Sequence, residues 1–462
     1  MLLKGSVIIS MVLFFAITVL KGNSTITEPI KSQEVEASFK IAPRVVNEIK
    51  MTEEDSQLLL VDKGIVELGY RLEFEEDYAM LSRDGSECQS VTNGMELTLP
   101  GTYFLTTTNK ANQLLVTKLK IASNGWKDTW QIANENELDE ILKAALESFH
   151  TNFSIQFNYG EFTVEEINQV LFAHIQKIIG MYPKLTFESY IIRGVSGDNP
   201  VIDIEINYPL EQIEKLKEYD KAVDKKIIDI LSHEIDISQE DYEREWVLFE
   251  YLISSTKYAL EGENHRIDKI DGPMIHTLFG TVIDGKAVCD GYAKTMMYLL
   301  NAVGVQTHLV FGEAEGIAHV WNQVNIQGEY YHLDATWGDI EEKQLGGFYN
   351  YFNETDDYML KTHEWEQDLF IACENELYSF PYLPIQIEEI AKVREPKEWR
   401  RVLNKVQKDN IEEQSLILYN QTENNWDTRE IISDLCNTLK KSLEYNIVEK
   451  YDTLIINYKV YQ

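Results

Sequence analysis

The chain has 462 residues, of which 44% are hydrophobic and 11% aromatic, a globular composition too long for one ordinary core. Its 42 basic and 77 acidic residues give a formal net charge of −35. Phosphate backbones and anionic lipid surfaces repel such a chain, so nucleic-acid binding and membrane-surface binding are both disfavoured.

The first residues have the pattern of an export signal. Lys4 precedes an uncharged, largely apolar run over residues 5–20, and Lys21 follows it. This run suits the hydrophobic region of a signal peptide and is short for a membrane-spanning helix, although no Ala-x-Ala cleavage site is evident. We expect residues 1–22 to be a cleaved signal peptide or an uncleaved anchor, and the rest of the chain to be secreted or held at the cell surface. The polar, acidic residues 23–57 are interpreted as a linker.

Short alternating segments predict a small antiparallel β module over residues 58–124. Predicted strands cover residues 65–74, 95–99, 102–106 and 114–121, and they are separated by turn dipeptides such as Asp84-Gly85 and Asn93-Gly94. The pattern resembles the β-sandwich-like, immunoglobulin-like modules of bacterial surface proteins.

Residues 125–216 and 385–462 share an order of predicted helices and strands. The helices are predicted over 137–149, 164–179, 399–406 and 429–443, and the strands over 154–158, 190–192, 201–206, 415–420 and 454–458. The correspondence pairs Asn158 with Asn420, Ile167 with Ile431, and Ile191 with Ile455. We interpret these regions as two related α/β modules on either side of a central domain, residues 217–384; the alternative is a chance similarity of two βα patterns.

The central domain contains a cysteine at the predicted start of an apolar helix. Asp290 and Gly291 mark the helix start, and residues 293–300 carry the apolar periodicity. A thiol in the first turn faces unpaired backbone N–H groups and the positive end of the helix dipole, which favours the thiolate and allows oxyanion stabilisation. Cys289 is therefore a candidate nucleophile, although a lone cysteine is more often a small core residue.

The other cysteines, Cys88, Cys373 and Cys436, show no CxxC spacing. The absence of CxxC pairs excludes a zinc ribbon, and the scattered positions of the cysteines argue against a disulfide framework.

Two strand-like segments, 320–326 and 330–335, flank the turn dipeptide Gln327-Gly328. If these two residues form the loop, Trp321 faces Asp334, and His319 lies one diagonal step away on the same face. Asp334 can then orient His319, and His319 can deprotonate Cys289. His332 is a rival base, although its own pairing places it farther from Trp321.

Other motifs argue against a bound cofactor. Residues 280–286 match the GxxxxGK pattern of a phosphate-binding loop, but Ala287 stands where that loop needs Ser or Thr to hold magnesium. No DxDxDG calcium-loop pattern occurs, so we expect neither a metal nor a cofactor. No side-chain oxyanion donor is assigned: Trp321 and Tyr292 are candidates, and core packing is the better-supported role of each.

Three spaced motifs in the central domain resemble the signatures of the bacterial transglutaminase-like superfamily. They are GKAVCDGYA at 285–293, HVWN at 319–322 and YYHLDATW at 330–337, and residues 351–353 and 362–365 resemble its tail. The resemblance implies a papain-like core with Cys289 as nucleophile, His319 as general base and acid, and Asp334 as the residue that orients His319. It does not extend to the flanking modules, so the expected fold is α+β: this core, the two related α/β modules and the N-terminal β module.

The superfamily includes transamidases, peptidases, amidases and members that have lost catalysis. We therefore expect an exported enzyme that forms an acyl-thioester on Cys289 and transfers the acyl group to an amine or water. Its expected partner is a protein or a cell-wall peptide, with no nucleic acid and with membrane contact only through an N-terminal anchor. The alternative is a catalytically weak or inactive surface binding or structural protein that keeps the fold.

Overall fold

The computed structural model describes residues 5–9 and 59–460, with gaps at 67–68, 76–78, 87, 98–100, 110, 112, 122–128, 148, 182–188, 195–196, 209–212, 260–271, 340–348 and 386–389. The predicted linker 23–57 lies outside the described residues. Of the predicted export signal, the structure describes only strand β1 (Gly5–Ile9), which pairs antiparallel with a strand of the first α/β module. None of the helices in the described ranges combines the length and apolarity that spanning a bilayer requires.

The N-terminal region consists mostly of strands. They are β2 (Leu59–Val66), β3 (Tyr70–Arg71), β4 (Ala79–Arg83), β5 (Gln89–Ser90), β6 (Glu96–Leu97), β7 (Gly101–Thr108) and β8 (Leu114–Ile121). One sheet has the order β2-β8-β7-β4-β5, and β3 pairs with β6. β2 runs parallel to β8, and the other pairs are antiparallel.

The first α/β module places two helices on one face of a sheet. Its elements are β9 (Thr129–Ile132), α1 (Glu135–Glu147), β10 (Asn152–Phe157), β11 (Glu161–Phe162), α2 (Val164–Met181), β12 (Ser189–Gly194), β13 (Gly197–Asp198) and β14 (Val201–Asn207). The sheet order is β1-β12-β14-β10-β9. Alternate residues of β14 (Ile202, Ile204 and Ile206) pack into a core with α1 and α2, and Asp203 is exposed. This period of two leaves the other face of the sheet to polar side chains.

The central domain begins with long helices and ends with a sheet. Its elements are α3 (Ile213–Glu234), α4 (Asp241–Ser255), β15 (Lys257–Tyr258), α5 (Leu278–Val282), β16 (Lys286–Ala287), α6 (Cys289–Ala302), β17 (Thr307–Ala314), β18 (Ile317–Ile326), β19 (Glu329–Leu333), α7 (Ala335–Gly338), α8 (Asp356–Met359) and β20 (His363–Trp365). A 3₁₀ helix, Gly272–His276, precedes α5. The sheet order is β19-β18-β17-β20.

The predicted hairpin between β18 and β19 is confirmed, including its register. Ile326 pairs with Glu329 and Asn322 with Leu333, so Gln327 and Gly328 are the two loop residues. Their φ angles, 54° and 92°, are both left-handed, as a type I′ turn requires. The hairpin thus brings the end of β19 beside the start of β18.

Helix α6 lies at the centre of the molecule, since its residues from Asp290 to Ala302 are all buried. It packs against β17 and β18, against α4 and α5, and against β4 and β7 of the β module. One hydrophobic core accordingly runs from Phe104 of the β module through α6 to Ile417 near the C-terminus. The polar residues of this buried helix are paired, as in the contact of Lys294 with Asp290.

The second α/β module repeats the strand pairing of the first. Its elements are β21 (Ile390–Val393), α9 (Pro396–Asp409), β22 (Glu413–Tyr419), α10 (Gln421–Asn424), α11 (Thr428–Leu439), β23 (Leu443–Lys450) and β24 (Thr453–Val460). The order β21-β22-β24-β23 matches β9-β10-β14-β12, and in both the first pair is parallel and the other two are antiparallel.

Two sequence predictions for this module are wrong. The helix predicted over 429–443 ends at Leu439, because Lys440 has a left-handed φ of 55° and Leu443 starts a strand. That strand, β23, is the counterpart of β12, so β24 corresponds to β14. The predicted correspondence of Ile455 with Ile191 is therefore wrong by one strand, because Ile455 lies in β24 and Ile191 in β12, the counterpart of β23.

The two modules differ in what covers the sheet. In the second, Leu416 and Leu418 pack with α9 and α11, whereas Ile417 and Tyr419 join the central core. Consecutive apolar residues thus serve both faces of β22. The expected α+β fold with a strand-rich N-terminal region is confirmed.

Candidate active site

Cys289 is the first residue of α6 and follows the N-cap residue Val288. Its side chain is partly exposed. The N–H groups of the first helical turn have no acceptors within the helix, so they are available to an oxyanion beside the thiol. The 3₁₀ helix lies against this turn: the Ile275 carbonyl accepts from Val288 N at 3.2 Å, and a Cβ on Gly291 would stand 2.4 Å from that oxygen. Glycine at 291 permits this close approach.

His319 of β18 and Asp334 after β19 meet as the hairpin register requires. Nε2 of His319 lies 2.8 Å from Oδ2 of Asp334, and both side chains are buried. Cys289 lies close enough to His319 to act, with Asp334, to raise the pKa of the imidazole. Since Asp334 occupies Nε2, Nδ1 is the ring nitrogen that remains for the thiol. The structure therefore places Cys289 beside His319 and hydrogen-bonds His319 to Asp334.

Asp334 is fully buried, yet it is surrounded by donors. Its Oδ1 accepts from the backbone N–H groups of Thr336 at 2.9 Å and Trp337 at 3.1 Å, which caps α7. Its Oδ2 accepts from His319 and from His363 at 3.2 Å. Burial raises the pKa of Asp334, but the charges and hydrogen bonds of the two histidines outweigh it and hold the pKa well below its usual range. Asp334 is a carboxylate at every working pH.

The charge on Asp334 controls His319. Burial acts to lower the pKa of His319, but the Asp334 charge and hydrogen bond, together with the contact to Cys289, raise it to about 10. At neutral pH His319 is therefore an imidazolium beside the side chain of Cys289.

His363 belongs to this site, and sequence reasoning gave it no role. It is fully buried on β20 and reaches Asp334 across 29 residues of sequence. The only signal was its place in the segment 362–365 that resembles the tail of the superfamily.

His332, the rival base, has both ring nitrogens engaged elsewhere. Trp321 Nε1 donates to its Nδ1 at 3.0 Å, and its Nε2 donates to Asp356 Oδ1 at 2.8 Å. Burial lowers the pKa of His332. No nitrogen of His332 remains for Cys289, and the indole N–H of Trp321 is not available as an oxyanion donor.

Tyr292, the other candidate oxyanion donor, donates its hydroxyl proton to the Asp339 carboxylate. Neither side-chain candidate is therefore positioned as an oxyanion donor, which leaves the backbone N–H groups of α6.

The sequence of this region matches a known family. Residues 231–335 match the model of the transglutaminase-like superfamily, a span that includes Cys289, His319 and Asp334. The chain contains a transglutaminase-like domain. No curated protein sequence matches the chain.

Solved structures similar to the chain show low identity. A TGase crystal structure is 13% identical, with a TM-score of 0.24, over 74% of this chain and 82% of that one. A candidate cysteine protease from Cytophaga hutchinsonii is 12% identical, with a TM-score of 0.19, over 32% of this chain and 57% of that one. The periplasmic domain of TgpA from Pseudomonas aeruginosa, bound to ethylmercury, is 11% identical, with a TM-score of 0.19, over 59% of this chain and 90% of that one. The family assignment rests on the match over residues 231–335.

The nucleophile helix of the transglutaminase-like domain is held by a buried ionic group. Asp290, next to Cys289, contacts His276 Nδ1 at 2.7 Å through Oδ1 and Lys294 Nζ at 3.2 Å through Oδ2. Burial raises the pKa of Asp290, but the Lys294 charge and the hydrogen bond from His276 outweigh it and lower the pKa. The group ties the 3₁₀ helix to α6 and so fixes the start of the helix that carries the thiol.

Two clusters of the transglutaminase-like domain bring three possible metal-ligand atoms within 4.8 Å of one another: His319, Asp334 and His363, and His332, Asp356 and Cys373. Metal ligation requires deprotonated ligand atoms. In the first cluster both Nε2 atoms donate hydrogen to Asp334. In the second, Trp321 donates to His332 Nδ1, so the ring proton is on Nε2, and burial raises the pKa of the Cys373 thiol. Hydrogen bonds rather than metal ligation explain both clusters.

Proposed function

We propose that this chain is an exported thiol enzyme that forms an acyl-thioester on Cys289 and passes the acyl group to an amine or to water. The observation that carries the proposal is the hydrogen bond of His319 to Asp334 with Cys289 beside the ring, which together raise the pKa of His319 to about 10. A buried carboxylate, a ring and a thiol at a helix start are the parts that nucleophilic acyl transfer needs.

The first half of the reaction breaks the substrate amide. The Cys289 thiolate attacks the carbonyl carbon, and N–H groups of the first turn of α6 stabilise the oxyanion that forms. As the C–N bond breaks, His319 gives the proton on Nδ1 to the departing amine, and the acyl group remains on Sγ.

The second half of the reaction releases the acyl group. His319, now neutral, takes a proton from an incoming amine or water molecule, which attacks the thioester carbonyl. The C–S bond breaks and the thiolate and imidazolium are restored. An amine acceptor makes the enzyme a transamidase, and water makes it a peptidase or amidase. We propose protein or cell-wall peptide amides as the substrate class, in keeping with the predicted export signal.

Thiol reactivity tests the nucleophile. We expect iodoacetamide to label Cys289 in the folded protein at least about 10-fold faster than Cys436, because a thiolate reacts and a thiol does not. Cys436 is a matched control, since it is also free and partly exposed. His319→Ala should remove the difference. Mass spectrometry of tryptic peptides measures both rates.

Acyl transfer itself is tested with glutamine-containing peptides, cell-wall fragments and a primary-amine probe. Intact-protein mass spectrometry should show a thioester adduct on Cys289 that is absent in Cys289→Ser, while the melting temperature of that variant stays near that of the native protein. Slow, equal labelling of Cys289 and Cys436 together with no adduct would favour the binding or structural protein instead.

A further inference from the structure

His363 stands one hydrogen bond from the proposed triad, and a Cys–His–Asp mechanism does not account for it. Its Nε2 lies 3.2 Å from Asp334 Oδ2, the same oxygen that His319 Nε2 contacts at 2.8 Å. The two ring centroids are 5.5 Å apart, and the side chain of His363 is completely buried. Two imidazoles therefore share one carboxylate oxygen.

The hydrogen bonds fix the direction of each proton around His363. An ionised carboxylate only accepts, so His363 donates to Asp334 from Nε2. Its Nδ1 then accepts from the hydroxyl of Thr362 at 2.8 Å, and Tyr351 OH lies 3.2 Å from that hydroxyl. The row Tyr351, Thr362 and His363 thus directs a second N–H donor at Oδ2 of Asp334.

Packing prevents His363 from turning away. Its ring centroid lies 4.9 Å from that of Trp337, 5.0 Å from that of Trp321 and 5.4 Å from that of Tyr351. Its backbone belongs to β20, where His363 pairs with Ala314 of β17. The N–H group that reaches Asp334 is therefore held at a fixed position.

We propose that His363 is a positioning residue which, by donating to Asp334, weakens the hold of that carboxylate on the His319 proton and so lets His319 act as a base when the acyl group leaves. This inference rests on the proposed function. Acyl transfer requires His319 to lose a proton and regain one in each cycle, and a carboxylate that keeps the imidazolium too firmly slows the second half.

The groups that face this pair come from several elements. His319 faces Cys289 of α6 and Asp334, whereas Asp334 faces His319, His363 of β20 and the Tyr351 phenol. A second N–H on Oδ2 shares the negative charge that would otherwise act on His319 alone. Loss of that N–H strengthens the bond between His319 and Asp334, so His319 keeps its proton to a higher pH.

The full-length protein and p-nitrophenyl acetate provide the test. The burst of nitrophenol reports acylation of Cys289, and the steady rate reports hydrolysis of the acyl-enzyme, each measured from pH 5 to pH 10 with Cys289→Ser as the blank. In His363→Phe we expect the burst to persist and the pH midpoint of the steady rate to rise by about 0.5–1 unit, a typical shift for one lost charge-assisted hydrogen bond shared between two donors. His363→Gln keeps an N–H near the position of Nε2 and should restore the native midpoint.

Thr362→Val is a second, milder variant that keeps the shape of the side chain. It removes the hydroxyl that orients His363, and we expect a smaller shift of the midpoint in the same direction.

The outcomes separate this inference from the function on which it rests. An unchanged midpoint in His363→Phe and Thr362→Val, or an equal loss of burst and steady rate in the Phe and Gln variants, overturns the role of His363 and leaves the thiol mechanism standing. No burst and no adduct on Cys289 in the native protein overturns both.

Discussion

Asp334 shows how a buried charge is tolerated at the scale of a single residue. A carboxylate removed from water is costly unless every lone pair finds a donor. Asp334 has two backbone donors on Oδ1 and two imidazole donors on Oδ2. The same four contacts that stabilise the buried charge also fix its position. The orientation of His319 therefore follows from the N-terminal cap of α7 and from the hairpin of β18 and β19.

Replacing Asp334 by Asn should abolish the imidazolium. Without the carboxylate, only Cys289 still acts to raise the pKa of His319 while burial lowers it, so we expect that pKa to fall from about 10 to below neutrality. At pH 7 His319 is then neutral, the thiolate loses its partner, and we expect alkylation of Cys289 to slow and acyl transfer to fall by about 10²–10⁴-fold. The alkylation rate from pH 5 to pH 10 is the measurement.

The exposed Asp357→Asn is the control for this change, since it removes a charge outside the site. Equal pH profiles for Asp334→Asn and the native protein would contradict the electrostatic role of Asp334.

At the scale of elements, the hairpin of β18 and β19 was predictable from sequence and strand β20 was not. Two left-handed loop residues, Gln327 and Gly328, set the register of β18 on β19, so local sequence was enough to bring His319 to Asp334. β20 is only His363–Trp365, too short for any periodicity, and its pairing with β17 depends on the whole domain. The second imidazole on Asp334 was therefore beyond the reach of sequence patterns.

Three edge strands, β9, β21 and β23, were also not predictable from the sequence. β23, whose residues are mostly exposed or half-buried, carries the polar mixture LEYNIVEK and lacks the clean alternation of β14. β9 and β21 are each four residues long. Short or edge strands take their stability from the partner strand rather than from their own side chains, so periodicity does not reveal them.

Gly312 of β17 marks a close approach between strands, which gives a test at this scale. It pairs with His319 on one side and with Trp365 on the other, and a Cβ there would lie 2.2 Å from the Glu364 carbonyl oxygen. Gly312→Ala should push β20 outward, separate His363 from Asp334, and destabilise the protein by about 1–3 kcal/mol. We expect a lower melting temperature together with an alkaline shift of the steady-state pH profile.

Gly316→Ala is the matched control for Gly312→Ala. Gly316 has a φ of 78° and open space around its Cβ position, so the variant strains the backbone without moving β20. It should lower the melting temperature and leave the pH profile unchanged; a shifted profile there would refute the link between β20 and the site.

At the scale of the whole molecule, burial extends across the predicted module boundaries. Glu354 of the central domain and Lys450 of the second α/β module form an ion pair in which both side chains are buried, and Tyr451 donates to the same carboxylate at 2.9 Å. Removing one partner of such a buried ion pair strongly destabilises the folded protein, because the other charge is left buried without a partner. The central domain is therefore held from the C-terminal side by charge as well as by apolar packing.

Glu245 makes the stability of this assembly depend on pH. Burial raises its pKa from 4.5 to about 8, against the hydrogen bond from Asn353, so the folded protein keeps a proton that the unfolded chain loses. Its stabilising effect is complete below about pH 4.5 and is lost as pH rises through about 8, and each pKa unit corresponds to about 1.4 kcal/mol. Glu245→Gln should raise the melting temperature at pH 8 and change it little at pH 5.

Glu218→Gln, an exposed change on the adjacent helix α3, should leave both melting temperatures unchanged. A native protein equally stable at the two pH values would rule out Glu245 as the titrating group.

The sheets of the two α/β modules pack against different neighbours, and this difference determines which parts of the chain can be removed. The first module keeps a hydrophobic core of its own on one face of its sheet, and it is joined to the β module by ion pairs such as Lys143 with Asp84. One face of the sheet in the second module packs against the central domain. Removing the chain after about residue 385 would therefore expose the apolar surface of the central domain that Ile417, Tyr419 and Ile455 cover. Shortened variants that keep Cys289 should therefore retain residues 385–462.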